Sequence, residues 1–149
     1  MIWPGRFHRV GNFIVDGAHN PPAARALVSS LKAAFNLQPF AFNLIFGACG
    51  DKDIGEVLSI LAPFVKKGYA VKTNNSRSLS AEETAAKMCA ADIDATPCSS
   101  LRSAIEQSNN LNNRTIICGS LFLAGEALVE LGVYPWGTAR FDAAELLRA

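Results

Sequence analysis

The sequence predicts an α/β fold, a mostly parallel sheet with helices on both faces. Two observations predict it. Short apolar runs alternate with stretches whose apolar residues recur at helical spacing, the pattern of strands joined by crossover helices. The strand runs are also apolar almost without interruption, as strands buried on both sides are.

A first strand is predicted over 13–15. A helix follows over 21–35, with Ala24, Leu27, Val28, Leu31 and Phe35 on one face. A fully apolar strand is expected over 42–49, with Asn43 near its start. The next helix, over 54–65, turns Val57, Leu58, Leu61 and Val65 inward, and Pro63 makes its last turn irregular. A third strand is read over 69–73. Ser80-Ala81-Glu82-Glu83 then forms a capping box that opens a helix to about residue 91. A short strand is expected over 94–97, a helix over 101–107 and a polar asparagine loop over 109–113. The chain closes with a strand over 115–118, a helix over 121–131 and a last short helix over 141–148 that Asp142 could cap. The first dozen residues lack a periodic pattern and read as a linker.

Composition narrows the function. The chain has 149 residues, 50% hydrophobic and 18% charged, which suits one globular domain with a proper core. A formal net charge of +1 recommends neither nucleic acid nor an acidic membrane. No apolar run has the length of a membrane span. Cys49, Cys89, Cys98 and Cys118 show no CxxC spacing and neither histidine stands near one, so no metal site is expected. Cys49 and Cys118 end apolar runs and read as buried thiols, which points to a reducing cytoplasm.

Four strand-to-helix loops carry polar side chains. They hold Asp16, His19 and Asn20; then Gly47 to Asp53; then Asn74 to Arg77; then Gly119 and Ser120. In a parallel sheet such loops share the carboxyl edge, where ligands bind. Each residue also has a plainer reading. Asn20 before Pro21-Pro22 is a good N-cap, and Ser120 is placed to be one as well. Arg77 could be a surface cation and His19 a hydrogen-bonded loop histidine, though His19 beside Asp16 at a strand's end leans towards function. Neither GxGxxG nor GxxxxGK[ST] occurs, so no phosphate loop of the usual kind is present.

Pro4-Gly5-Arg6-Phe7 followed by Asp16-Gly17-Ala18-His19-Asn20-Pro21 resembles the start of the carboxyl-terminal domain of folylpolyglutamate synthase/dihydrofolate synthase, in the Mur ligase superfamily. The resemblance continues through Phe46-Gly47 to Asp51-Lys52-Asp53, Ser76-Arg77 ahead of Ser80, and Gly119-Ser120-Leu121-Phe122-Leu123-Ala124-Gly125-Glu126. It implies a Rossmann-like three-layer αβα domain with a mostly parallel sheet of about six strands. It also implies an ATP-dependent ligase that activates a carboxylate as an acyl phosphate and joins glutamate to a folate or dihydropteroate. In that family a larger amino-terminal domain carries the phosphate loop and the Mg ligands. This sequence resembles only the other part, so residues 1–12 are expected to be a linker remnant and 13–149 the glutamate ligase domain, inactive when isolated. Its implied partners are its own amino-terminal ATPase domain, ATP, glutamate and folate.

Roles carry over by resemblance. Arg6 matches an arginine that reaches the nucleotide phosphates, and Asp16 an acid near the nucleotide or its ribose. His19 matches a residue between the phosphates and the glutamate, hence ATP-binding and catalytic. Lys52 and Ser120 match positions facing the amino-acid substrate, and Arg77 is grouped with them. Two departures stand out: His8 occupies a place where the family often has glutamate, and Asn75-Ser76-Arg77 replaces a more proline-rich segment. Two other readings remain at this level, a Mur-type ligase with another acceptor and a non-catalytic nucleotide- or amino-acid-binding module.

Overall fold

The computed structural model describes residues 5–36, 38–50, 53–109 and 113–133. In chain order the elements are β1 (His8–Val10), β2 (Phe13–Val15), α1 (Pro21–Ala34), β3 (Phe42–Phe46), α2 (Ile54–Leu61), β4 (Val65–Ala70), α3 (Ala81–Ala90), β5 (Ala95–Pro97), α4 (Leu101–Asn109), β6 (Arg114–Cys118) and α5 (Leu121–Glu130). The strands form one sheet in the order β1-β2-β6-β3-β4-β5. Every neighbouring pair is parallel except β1 with β2.

Side-chain alternation along the strands divides the core in two. Ile14, Leu44, Phe46 and Ile116 face one layer, where Leu27 and Leu31 of α1, Leu58 of α2 and Met88 of α3 cover them. Val15, Ile45, Tyr69 and Ile117 face the other, under Ala104 of α4 and Leu123 and Leu128 of α5. The result is the expected three-layer αβα arrangement. Each fully buried leucine here contributes roughly 1.5–3 kcal/mol by leaving water. At the amino edge the Arg9 and Arg114 guanidiniums lie 5.0 and 4.4 Å from the centre of the Phe35 ring, tying β1 and β6 to the end of α1.

Most helix boundaries follow local chemistry that was readable. Asn20 Oδ1 accepts from Ala23 N–H at 2.9 Å to start α1. Ser80 and Glu83 exchange both bonds of the capping box, at 3.0 and 2.9 Å. Four expectations shift. Val65 is not the inward end of the second helix. Pro63 lacks the N–H needed to continue it, so Ala62–Phe64 tighten into a 3-10 turn and Val65 opens a strand. The third strand therefore runs Val65–Ala70 rather than 69–73, with Lys66 exposed and Lys67 paired to Asp94 at 3.3 Å. The strand expected to Cys49 ends at Phe46, and Cys49 bridges instead to Ser78 in the loop after β4. Finally, residues 8–10, inside the stretch read as linker, form edge strand β1, turned back on β2 through Gly11 (φ +56°) and Asn12. The last helix, expected over 141–148, lies outside the described residues.

Gly119 has no room for a side chain. Its φ is +117°, and a Cβ there would stand 2.5 Å from Gly47 O and 2.9 Å from the Phe46 ring. Gly119→Ala should therefore cost at least about 2 kcal/mol. Chemical denaturation would read this as a lowered midpoint at unchanged slope, and an unchanged midpoint would contradict the close approach.

Candidate functional site

The carboxyl edge has a built-in crevice. β6 lies between β2 and β3, yet α5 leaves it towards one face while α1 and α2 pack on the other. Such a switch point is where an open parallel sheet receives ligands.

Backbone hydrogen bonds sew the loops above this crevice to one another. Gly17 N–H donates to Gly5 O at 2.7 Å, and Gly119 N–H to Ala18 O at 2.8 Å. Gly50 N–H donates to Arg77 O and Leu79 N–H to Ala48 O, both at 2.9 Å. Segments distant in sequence thus become one surface. A cavity of about 90 Å³ opens in it, lined by His19, Cys49, Arg77, Gly119, Ser120, Leu121 and Phe122. Beside it, towards β1, an open groove of about 870 Å³ includes Arg6, Asp16, His19 and Ser30 in its walls. His19 belongs to both. The structure therefore brings together Arg6, Asp16, His19, Arg77 and Ser120. Lys52 lies outside the described residues.

The chemistry of each group follows from its partners. The His19 Nδ1 lies 2.9 Å from Gly17 O. A carbonyl only accepts, so Nδ1 carries the hydrogen and Nε2 is left to meet a ligand. Ser120 Oγ accepts from Phe122 N–H at 3.0 Å and Leu123 N–H at 3.4 Å, so it is the N-cap of α5. Its own O–H is still available to donate into the small cavity. Arg77 is exposed, on a turn in which Asn75 Oδ1 accepts from its N–H at 2.8 Å.

Asp16 is half-buried and accepts from two backbone amides, Phe7 N–H on Oδ2 and Ala18 N–H on Oδ1, each at 2.8 Å. Burial pushes its carboxyl up, while those two donors and the Arg6 charge pull it back. Phe7 has φ +44°, a left-handed conformation that costs a bulky residue about 1–3 kcal/mol.

The opening turn of α1 offers little to an anion. Pro21 and Pro22 have no N–H, Ala23 N–H is taken by Asn20 Oδ1, and Ala24 N–H by Asn20 O. A phosphate in the groove would depend on side chains, chiefly Arg6 and His19. Among the described residues no group of three or more His, Cys, Asp and Glu could hold a metal ion.

Three wall residues escaped the sequence reading. Cys49 was read as a plain buried thiol, and only the stitching of its loop to Ser78 shows it lining a cavity. Leu121 and Phe122 are 66% and 56% exposed on the first turn of α5. Their signal was available: two large apolar residues directly after a Gly-Ser loop, off the inward face.

The sequence profile of the family described as Mur ligase, glutamate ligase domain, matches residues 5–121. A probable bifunctional folylpolyglutamate synthase/dihydropteroate synthase of Haloferax volcanii is 38% identical over 78 residues, 50% of this chain and 9% of that protein. The folylpolyglutamate synthase of Mycobacterium tuberculosis complexed with ADP and AMPPCP matches with a TM-score of 0.76 at 28% identity, over 87% of this chain and 32% of that one. The bifunctional folylpolyglutamate synthase/dihydrofolate synthase of Yersinia pestis complexed with AMPPNP and Mn ion matches with a TM-score of 0.70 at 28% identity, over 86% of this chain and 31% of that one.

The raised Asp16 carboxyl has a sign that can be tested. Because folding raises its pKa, its contribution to stability is full below the ordinary carboxylate range and is lost as pH rises through the folded value. Asp16→Asn removes this titration. The denaturation midpoint of the variant, compared with the parent, should gain ground as pH rises through the weakly acidic range. A constant difference across that range would show that burial does not dominate at Asp16.

Proposed function

This chain belongs to the family of Mur ligase glutamate ligase domains, and we propose that it is the carboxyl-terminal domain of an ATP-dependent ligase that adds glutamate to a folate or dihydropteroate. The observation that carries the reading is the shared position of His19. It stands between a groove bearing Arg6 and Asp16 and a cavity bearing Ser120 and Arg77. One side suits phosphates, the other a small amino acid.

In this reading the acceptor carboxylate is activated as an acyl phosphate. The glutamate amine then attacks the acyl carbon, phosphate leaves, and the amine gives up a proton. Arg6 holds phosphate oxygens through a permanently charged fork. Asp16 keeps further lone pairs for the nucleotide ribose. His19 Nε2 faces the reacting region and is the group best placed here to take the amine proton. The Ser120 O–H and the Arg77 and Lys52 cations bind glutamate carboxylates. Mg neutralises phosphate charge when bound and, in this proposal, is held mainly by the amino-terminal ATPase domain. That domain forms the other wall of the groove, and its closure excludes water. The isolated chain accordingly binds substrates weakly and does not catalyse ligation. The proposed setting is the cytoplasm.

Arg6 is the discriminating residue, because the proline-capped turn of α1 cannot substitute for it. In the ligase that carries this chain, Arg6→Ala should remove on the order of 1.5–3 kcal/mol of charge-assisted phosphate contact. That would lower kcat/KM for ATP-dependent glutamylation roughly ten- to a hundredfold. Arg6→Lys should recover only part, since the planar fork is lost. Steady-state kinetics unchanged in both variants would overturn the phosphate reading.

A further inference from the structure

The segment ahead of β1 holds a shape it would not keep by itself. Gly5 (φ +76°) and Phe7 (φ +44°) both lie in the left-handed region, with Arg6 between them. Three contacts hold this turn down. Gly17 N–H donates to Gly5 O at 2.7 Å. The Phe7 side chain packs against the core. Phe7 N–H donates to Asp16 Oδ2 at 2.8 Å. The other oxygen of the same carboxylate accepts from Ala18 N–H at 2.8 Å, next to His19. Asp16 therefore joins the turn that carries Arg6 to the loop that carries His19.

We propose that Asp16 is a positioning residue: by bridging the Phe7 and Ala18 amides, its carboxylate sets where Arg6 stands over the groove. The proposal rests on the phosphate role given to Arg6 above, but it assigns a different act to a different residue. A bulky residue with positive φ relaxes unless its surroundings hold it. Relaxation at Phe7 would swing the backbone that aims Arg6. The chemistry also requires an acid. Both partners are N–H donors, and an ionised carboxylate only accepts. Asparagine has the same shape but would turn an NH₂ group towards one of them.

The test has two arms. In the 149-residue chain, amide exchange and nitrogen relaxation are measured for the parent and Asp16→Asn. The Phe7 amide should exchange at least about tenfold faster in the variant, while amides in the middle of β3 and β6 stay protected. The Arg6 Nε–H order parameter should fall to about 0.6 or below. A Phe7 amide as slow as in the parent, or an Arg6 equally ordered in both, would overturn the proposal. Should Asp16→Asn fail to fold, Asp16→Ser keeps an acceptor for the nearby Ala18 amide and is too short for Phe7, and it must show the same two changes.

In the ligase, the second arm is a double-mutant cycle. Asp16→Asn should lower kcat/KM for ATP by about tenfold and should cost clearly less when Arg6 is already alanine, the remainder being its own contact with the ribose. Independent, additive losses would mean that Asp16 acts by its own contact with substrate, and the positioning role fails. A silent Arg6→Ala would instead remove the phosphate reading, and the exchange arm would then decide alone whether Asp16 holds Phe7 and Arg6.

Discussion

The site depends on how closely three loops can approach above β6. Gly119 sits at that meeting point, bonded to the loop after β2 and pressed against the backbone of the loop after β3. A parallel sheet delivers all its carboxyl-end loops to one edge, but delivery alone leaves them independent. Backbone hydrogen bonds between loops turn the edge into a continuous wall. This is why His19 and Arg77, 58 positions apart in number (77 − 19), line one cavity.

Two different kinds of rigidity follow. The wall of the small cavity is rigid because main chain holds main chain, and Ser120 is locked by capping α5. The groove side has one such backbone bond, Gly17 to Gly5, and depends otherwise on a side chain, the half-buried Asp16 carboxylate spanning two amides. The first arrangement survives most side-chain replacements. The second responds to a single protonation or substitution. The fixed elements of the edge thus lie on one side and its adjustable ones on the other.

What the sequence showed depended on how local the cause was. The Ser80–Glu83 box and the Asn20-Pro21-Pro22 start lie within a few residues, and both were legible. β4 was misplaced because Lys66 and Lys67 look like loop, while the structure exposes one and pairs the other with Asp94. β1 was missed because three residues hold no periodicity, although the Gly11-Asn12 pair was a usable turn signal. Of the site, the polar loops and their common edge were readable from the alternation of elements. The placement of Cys49 in a cavity wall and the left-handed backbone of Phe7 were not. The first depends on the bridge from Cys49 to Ser78, segments far apart in the chain, and the second on contacts of Phe7 with Asp16 and the core that leave no periodic signal.

The two borders of the sheet have a consequence of their own. β1 and β5 are each three residues long. The first carries an exposed arginine in its middle, and the second ends in Pro97, which has no amide hydrogen to offer. Neither border makes a good template for a foreign strand. A protein whose sheet core is so largely apolar would otherwise risk ribbon-like growth in a crowded cell. Here the borders are blunt, and the exposed Leu121 and Phe122 of α5 stand at the carboxyl edge instead. Any association through apolar surface is thereby drawn to that rim and away from the strand borders.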